Sequence, residues 1–404
     1  MVELSRRTRR EGTLAWLRDQ PGKLGRALAR RRGEGDFSHQ VYDAMAGCLA
    51  CKSCAGQCPI KVDVPDFRSR FLESYHSRYA RPLRDYVIGG LEFVVPHLPR
   101  VAPLYNALLD NRLIDRLLTR TLGMVDSPRL SRTHLKKVLR AWGVVEATPT
   151  SLAQLMPEER ARSVVLVQDA FTSHFESQLV LDIIELLTRL GLRVFVAPFQ
   201  PNGKPLHVQG FIGRFQRVAA RQAARLQTLA AFGVPLVGID PAMTLTYRQE
   251  YVKLLGPSAV PEVLLLQEWL LARGPALLPA RWKQRAADAD PGYRLLSHCT
   301  EKTNAPGSPK AWQQLFAHFG LALENIASGC CGMSGTYGHE ARNRATSEAI
   351  YDLSWREPVE NTAAGPLLAT GYSCRSQAKR LSQRQLLHPL QALLQVARRR
   401  DQTS

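Results

Sequence analysis

The chain carries eight cysteines, and four of them stand in the run Cys48-x2-Cys51-x2-Cys54-x3-Cys58-Pro59. That is the bacterial ferredoxin spacing. A tight loop lets three thiolates, each three residues after the last, converge on three corners of a cubane, and Pro59 turns the chain after the fourth. Soft thiolates favour iron–sulfur clusters over hard cations. Lys52 and Lys61 flank the run and can offset the negative charge of a thiolate-bound cluster. A structural zinc site on the same thiols is the alternative, and the spacing argues against it. In two-cluster ferredoxins the fourth cysteine of such a run serves the other cluster. With a single run here, the simpler expectation is one [4Fe-4S] cluster on Cys48, Cys51, Cys54 and Cys58. A reach of Cys58 towards a second cluster is the other option.

The remaining four cysteines occur as His298-Cys299, Gly329-Cys330-Cys331-Gly332 and Ser373-Cys374. Adjacent cysteines rarely bridge each other, because the bond would be strained. Each site follows the end of an expected strand, the edge at which open α/β sheets bind ligands. Gly329, Gly332 and Gly335 let backbone approach a bulky inorganic group. Four thiols there fit a second all-cysteine cluster or metal site, a redox dithiol, a labile single-metal site, or four inert buried cysteines. His298 and His339 lie near in sequence, as ligand, proton donor or ordinary surface histidine. Tyr337, Arg342 and Arg375 are candidates to contact an anion or a partner, with a purely structural role as the alternative. No catalytic residue is assigned.

The elements that must position these groups change character along the chain. Residues 36–160 read as helical: Phe67, Phe71, Leu72 and Tyr75 recur at helical spacing after Pro65, and further helices are expected near Leu83–Val94, Ala107–Leu118 and Ser131–Trp142. From residue 162 the pattern is α/β. The apolar run between Arg162 and Asp169 suits a buried parallel strand. A helix over Ser173–Leu190, a strand ending near Phe199, a helix over Phe211–Phe232 and a strand VPLVGID follow. Strands at Tyr293–Cys299, LALENIASG and PLLATGYSC, with helices at SPKAWQQLFAHFG and His339–Trp355, repeat the layout after roughly 130 residues. Aligned by eye, Asp169 falls on Cys299, Pro201-Asn202-Gly203 on Cys330-Cys331-Gly332, and Asp240-Pro241-Ala242 near Cys374. The cysteines of this region all belong to the second copy. The expected organisation is a basic arm (1–35), a helical ferredoxin-like [4Fe-4S] domain (36–160), a cysteine-free α/β repeat (161–288) and a cysteine-bearing one (289–404).

A chain of 404 residues exceeds one simple core, and its 45% hydrophobic content supports folding. The most apolar stretch, Tyr86 to Leu98, contains Glu92 and Pro96, so no membrane span is expected. The opening MVELSRRTRREG has no signal-peptide core. Thiols without a secretion signal point to a reducing compartment, hence the cytoplasm. The formal charge is +19, and the first 35 residues hold ten Arg and Lys against four acids. Such an arm can meet an anionic membrane surface, peripheral to the inner membrane, or an acidic partner; a solvated tail is the plain alternative. Nucleic-acid binding is open on charge alone, but no matching motif accompanies it.

The second cysteine group resembles the CCG domain. That domain occurs, usually duplicated, in the iron–sulfur subunit of glycolate oxidase and in subunits of anaerobic glycerol-3-phosphate dehydrogenase and of heterodisulfide reductase. Its pattern is Cys, some thirty-odd residues, Cys-Cys-Gly, then Cys-x-x-Cys. Cys299, Cys330, Cys331, Gly332 and Cys374 match, while Gln377 stands in the final position. A closer resemblance covers most of the chain. GCLACKSCAGQCPIKVDVPDFRSRFLESYH, RPLRDYVIGGLEF, GCCGMSGTYGHEARN and ATGYSCRSQ look like the C-terminal iron–sulfur half of large bacterial FAD-linked oxidases of the D-2-hydroxyglutarate dehydrogenase type. The resemblance implies that a flavin domain oxidises a D-2-hydroxy acid of the hydroxyglutarate, lactate or glycolate type. The iron–sulfur half would then pass single electrons to a downstream acceptor. No G-x-G-x-x-G follows a strand here, so FAD is expected only on a partner subunit or domain ahead of residue 1, and the chain alone is not expected to oxidise substrate. Two rival expectations are a CCG redox enzyme acting on a disulfide or quinone, and a nucleic-acid-binding protein with a structural cluster.

Overall fold

The computed structural model describes residues 21–23, 25, 37–60, 62–274, 277–279, 282 and 292–402. Most of the basic arm 1–35, and Lys61, lie outside the described residues. No described helix is long and apolar enough to cross a membrane.

The helical region begins with α1 (Phe37–Ala46), α2 (Ser53–Gln57), α3 (Val64–Arg78) and α4 (Leu83–Val94). Asp63 starts α3 by accepting from the Asp66 N–H at 3.0 Å, and Pro65 fills its first turn. The helix expected at 107–118 is two: α5 (Ala102–Leu109) and α6 (Arg112–Leu122). Asn111 divides them, because its side chain takes the N–H groups of Leu113 and Ile114 as an N-cap. Only the later part of the 131–142 segment is helical, as α7 (Leu135–Ala141), opened by the His134 ring.

Two parallel sheets follow. The first holds β1 (Val145–Glu146), β2 (Ser163–Val167), β3 (Arg193–Val196), β4 (Leu236–Gly238) and β5 (Val263–Leu265) in the order β1-β3-β2-β4-β5. All five residues of β2 are buried, as a central strand covered on both faces requires. The second sheet holds β6 (Tyr293–Leu296), β7 (Leu323–Asn325) and β8 (Leu367–Ala369) in the order β7-β6-β8. That order repeats β3-β2-β4 of the first sheet.

Helices cover the sheets. In the first lobe they are α8 (Ala170–His174), α9 (Ser177–Arg189), α10 (Ile212–Ala230) and α11 (Pro241–Thr246), which runs into a π-helical turn, Tyr247–Tyr251. In the second they are α12 (Cys299–Asn304), α13 (Ser308–His318), α14 (Arg344–Asp352), α15 (Tyr372–Ser382) and α16 (Pro389–Gln402). Two helices are shorter than their periodicity suggests. The 173–190 segment breaks at Glu176, whose carboxylate turns to Arg375. The 339–355 segment starts as two 3-10 turns, because His339 C=O and Ala341 N–H pair with Val125 and Gly123 at 2.8 Å instead of with a helix.

The lobes share one apolar core. Leu179, Ile183, Leu186 and Leu187 of α9 belong to the same cluster as Leu390, Leu393, Leu394 and Val396 of α16, with Leu295 and Trp312 of the second lobe. Gln391 fixes α16 further by donating to Asp182 at 2.7 Å. Leu393 is 0% exposed and Leu117 is 55% exposed. Leu393→Ala is therefore expected to cost about 3 kcal/mol in urea unfolding. Leu117→Ala is expected to change stability by less than about 0.5 kcal/mol.

Candidate functional site

The first thiol group straddles the loop between α1 and α2, which holds Cys48 and Cys51, and α2 itself, which holds Cys54 and ends at Cys58. Two non-glycine residues in the loop, Ala50 (φ 52) and Lys52 (φ 64), are left-handed. Such residues cost on the order of 1 kcal/mol or more each and persist where the surroundings hold them. Ala50 N–H points to Cys48 Sγ at 3.5 Å, Cys51 Sγ lies 3.6 Å from Ser53 Oγ, and Cys58 N–H closes on Cys54 C=O at 2.9 Å. Burial pushes the Cys48 thiol up, and the charges of Cys51 and Cys54 act on it in the same direction. Cys48, Cys51 and Cys58 are half-buried and Cys54 is exposed.

This loop is held from both lobes. Ser334 donates its hydroxyl to Leu49 C=O, and a Cβ on Gly56 would come within 2.8 Å of Thr303 on α12. From the first lobe, Glu250 reaches Lys52 Nζ at 3.0 Å. Arg68 of α3 donates to Met45 C=O at 3.1 Å and to Val208 C=O at 2.7 Å.

The second group forms where β6, β7 and β8 end. Cys299 opens α12 directly after His298, whose Nδ1 accepts from Thr300 N–H at 3.1 Å. That leaves the ring proton on Nε2, which faces Ser373 Oγ at 3.2 Å. Cys330-Cys331-Gly332 follows β7, and Cys374 lies in the first turn of α15 after β8. Gly332 has φ +81, and a Cβ there would sit 2.2 Å from Ser347 C=O, so the turn requires glycine. The four thiols lie close enough to influence one another in a chain: Cys330 with Cys299 and Cys331, and Cys331 with Cys374. The neighbouring Cys299 and Cys331 thiols, joined by Gly332 N–H, pull the Cys330 thiol well below the ordinary thiol range. Cys299 and Cys331 are pushed up in turn. Gly56 packs against Thr303 of α12, and Ser334 just past the Cys-Cys-Gly turn donates to Leu49 C=O, so the two groups are neighbours. Among the described residues, no group of three or more His, Cys, Asp or Glu is placed to hold a metal ion.

This chain is similar to D-2-hydroxyglutarate dehydrogenases. The protein of that name from Pseudomonas putida is 55% identical over 386 residues, which are 96% of this chain and 37% of the relative. The Escherichia coli protein of that name is 44% identical over 366 residues, 90% of this chain and 35% of its own length. A subunit of the Escherichia coli anaerobic glycerol-3-phosphate dehydrogenase is 24% identical over 349 residues, 84% of this chain and 83% of that relative. The chain thus spans just over a third of the D-2-hydroxyglutarate dehydrogenases it matches and most of the glycerol-3-phosphate dehydrogenase polypeptide. No protein-family model and no solved structure matches.

Other residues singled out in the sequence have different partners. His339 is buried with Nδ1 3.2 Å from Val125 C=O, and burial holds its ring down to about 4. Arg375 pairs with Glu176 and donates to the Ala369 and Thr370 carbonyls at 2.9 Å, which ties the lobes together. Arg342 pairs with Glu340 at 3.0 Å, and Tyr337 lies buried in a 3-10 turn. Gln377 donates to Ser347 Oγ at 2.9 Å, and Ser347 donates to Gly332 C=O at 2.8 Å, so Gln377 supports the Cys-Cys-Gly turn from below.

The first lobe repeats the turns of the second without its thiols, and carboxylates bind the backbone there. Gly203, φ +82, repeats the conformation of Gly332. The N–H groups of Asn202 and Gly203 are taken by Glu92 of α4 at 3.2 and 2.6 Å. Asp169 caps α8 as His298 caps α12, so Asp169 aligns with His298 and not with Cys299. Asp240 caps α11 with one oxygen and accepts Tyr372 N–H of α15 with the other, at 2.8 Å. Sequence patterning did not mark Glu92, Lys204, Glu250 or Ser347. Each acts across a long separation, and Glu92 stood out only as an acid within an apolar stretch.

Burial pushes Glu92 up to about 7, and burial together with the charge of Asp240 does the same to Asp169. A carboxyl raised by folding keeps its proton in the native state over a range where the unfolded chain has lost it. Stability from these two groups is therefore greatest below about pH 4 and falls as pH rises to about 7. Glu92→Gln is expected to flatten the decline between pH 5 and pH 8, by up to about 3 kcal/mol in urea unfolding.

Proposed function

We propose that this chain is the iron–sulfur electron-transfer part of an FAD-linked D-2-hydroxy-acid dehydrogenase. A [4Fe-4S] cluster would be held by Cys48, Cys51, Cys54 and Cys58. The observation that carries the reading is the meeting of two thiol groups, one on a ferredoxin-spaced loop and one at the carboxyl edge of the second sheet. In this reading, residues 36–160 are a ferredoxin-like domain, followed by a duplicated CCG domain whose first copy has lost its thiols. The donor set fits such a group. It is all thiol, and backbone N–H groups point at Cys48 and Cys330 sulfur. Cys299, Cys330, Cys331 and Cys374 would hold a second cluster or metal. Bound there, iron–sulfur groups supply one-electron carriage.

The chain's own residues provide the setting. They place the two groups side by side, bury Cys331 and Cys374, and leave Cys54 exposed towards a donor. FAD would sit on a partner subunit or domain, as the greater length of the related dehydrogenases suggests, with a downstream carrier as acceptor. Eight thiols suit the cytoplasm. Anaerobically purified protein is expected to lose its visible absorption, and to gain an EPR signal, when chemically reduced flavin is added. Cys51→Ser is expected to abolish both changes. Iron-loaded protein that reduced flavin leaves unchanged contradicts the reading.

A second reading rests on Cys330. A thiolate held among three other thiols is a nucleophile for disulfide exchange. Turnover of a small disulfide by this chain alone, lost in Cys331→Ser, would favour it.

A further inference from the structure

The cysteine-free lobe sends charged side chains into the thiol loop. Lys52, between Cys51 and Ser53, is buried, and its Nζ lies 3.0 Å from Glu250 Oε1. The same oxygen accepts from Lys204. The side chains of Lys52, Glu250 and Lys204 are 7%, 5% and 18% exposed. Two ammonium groups thus share one carboxylate in a region shielded from water. Glu250 itself is aimed by the π-helical turn Tyr247–Tyr251, a rare element enriched at functional sites. Lys204 follows Gly203, the counterpart of Gly332, so it projects from the turn that carries thiols in the other lobe.

The neighbouring charges do not cancel the surplus. Asp63 and Asp66 are engaged by Lys253 at 3.4 and 2.7 Å, and Asp66 also by Arg70 at 3.0 Å, so these two acids are matched by two solvent-exposed cations. His207 lies 3.8 Å from Asp66. The buried trio keeps one positive charge in excess, and Lys52 is the residue that follows Cys51 in the loop. The trio also explains the strained loop: Lys52 is held in a left-handed conformation whose far end is fixed by Glu250.

We propose that the cysteine-free lobe is an electrostatic support for the thiol loop. Lys204, through the Glu250 carboxylate it shares with Lys52, holds surplus positive charge against Cys48–Cys54 and favours the reduced state of a cluster bound there. The proposal rests on the iron–sulfur reading above. One electron taken up at this loop, from reduced flavin or from dithionite, adds one negative charge beside the surplus positive one. Lys204 is a positioning residue in this role and touches no reacting atom.

The test uses the full chain, purified anaerobically, as parent, Lys204→Met and Lys204→Arg. Cluster content is read by visible absorption, and the reduced fraction by EPR at a fixed series of potentials set with dithionite and mediators. Lys204→Met is expected to shift the reduced-to-oxidised ratio about tenfold towards oxidised, the order of size of one unit charge acting through a protein interior. Lys204→Arg, which keeps the charge, is expected to stay within about twofold of the parent. Loss of the cluster from Lys204→Met but not from Lys204→Arg also supports the proposal, because charge and not packing then holds the loop. Equal ratios in all three proteins, an equal shift in both variants, or cluster loss from both overturns it while leaving the iron–sulfur reading intact. A parent protein without iron overturns that reading, and this proposal with it.

Discussion

Everything at the thiol site depends on the parallel pairing of β6 with β7 on one side and β8 on the other. Parallel strands end on the same edge, so three loops far apart in sequence open at one place. Each loop delivers thiols there: Cys299 from β6, Cys330 and Cys331 from β7, and Cys374 from β8. Cys299, Cys330, Cys331 and Cys374 come close enough to influence one another because that register is fixed. The ferredoxin-spaced loop then docks on α12 and on the Cys-Cys-Gly segment, through Thr303 and Ser334.

The seam between the lobes is polar as well as apolar. Glu176 pairs with Arg375, and Asp240 takes the Tyr372 N–H at the start of α15. Buried pairs of this kind add little net stability compared with apolar packing, and they penalise any arrangement that leaves one partner alone. The packing of α9 against α16 supplies the cohesion. The two seam pairs set the angle at which α15, and with it Cys374, meets the sheet edge. The first lobe keeps the geometry of a thiol site, down to the matching φ of Gly203 and Gly332, but fills it with Glu92.

Much of this was legible in the sequence because it is local. The buried strands at 163–167, 193–196, 236–238, 293–296 and 367–369 stand out as short apolar runs, and Leu83–Val94 is the helix its periodicity predicts. The spacing of Cys48, Cys51 and Cys54 needs only its own loop. The breaks at Asn111, at Glu176 and before Arg344 were not visible. The first is a cap competing with continued helix. The other two depend on partners far along the chain, Arg375 for Glu176 and the Gly123–Val125 segment for His339 and Ala341. Of the edge strands, β1 has only two residues, and β5 runs straight into the helix Leu266–Arg273 with no turn residue to mark its end. The roles of Gln377, Lys204 and Glu250 are equally silent in sequence, since each is defined by what it touches across the fold.

The central claim is that these thiols hold iron–sulfur groups. Counting iron and acid-labile sulfide per chain in anaerobically purified protein tests it most directly. About four of each is the predicted result for the ferredoxin-spaced loop alone, and about eight if Cys299, Cys330, Cys331 and Cys374 hold a second cluster. Zinc in place of iron, or iron without sulfide, would contradict the account.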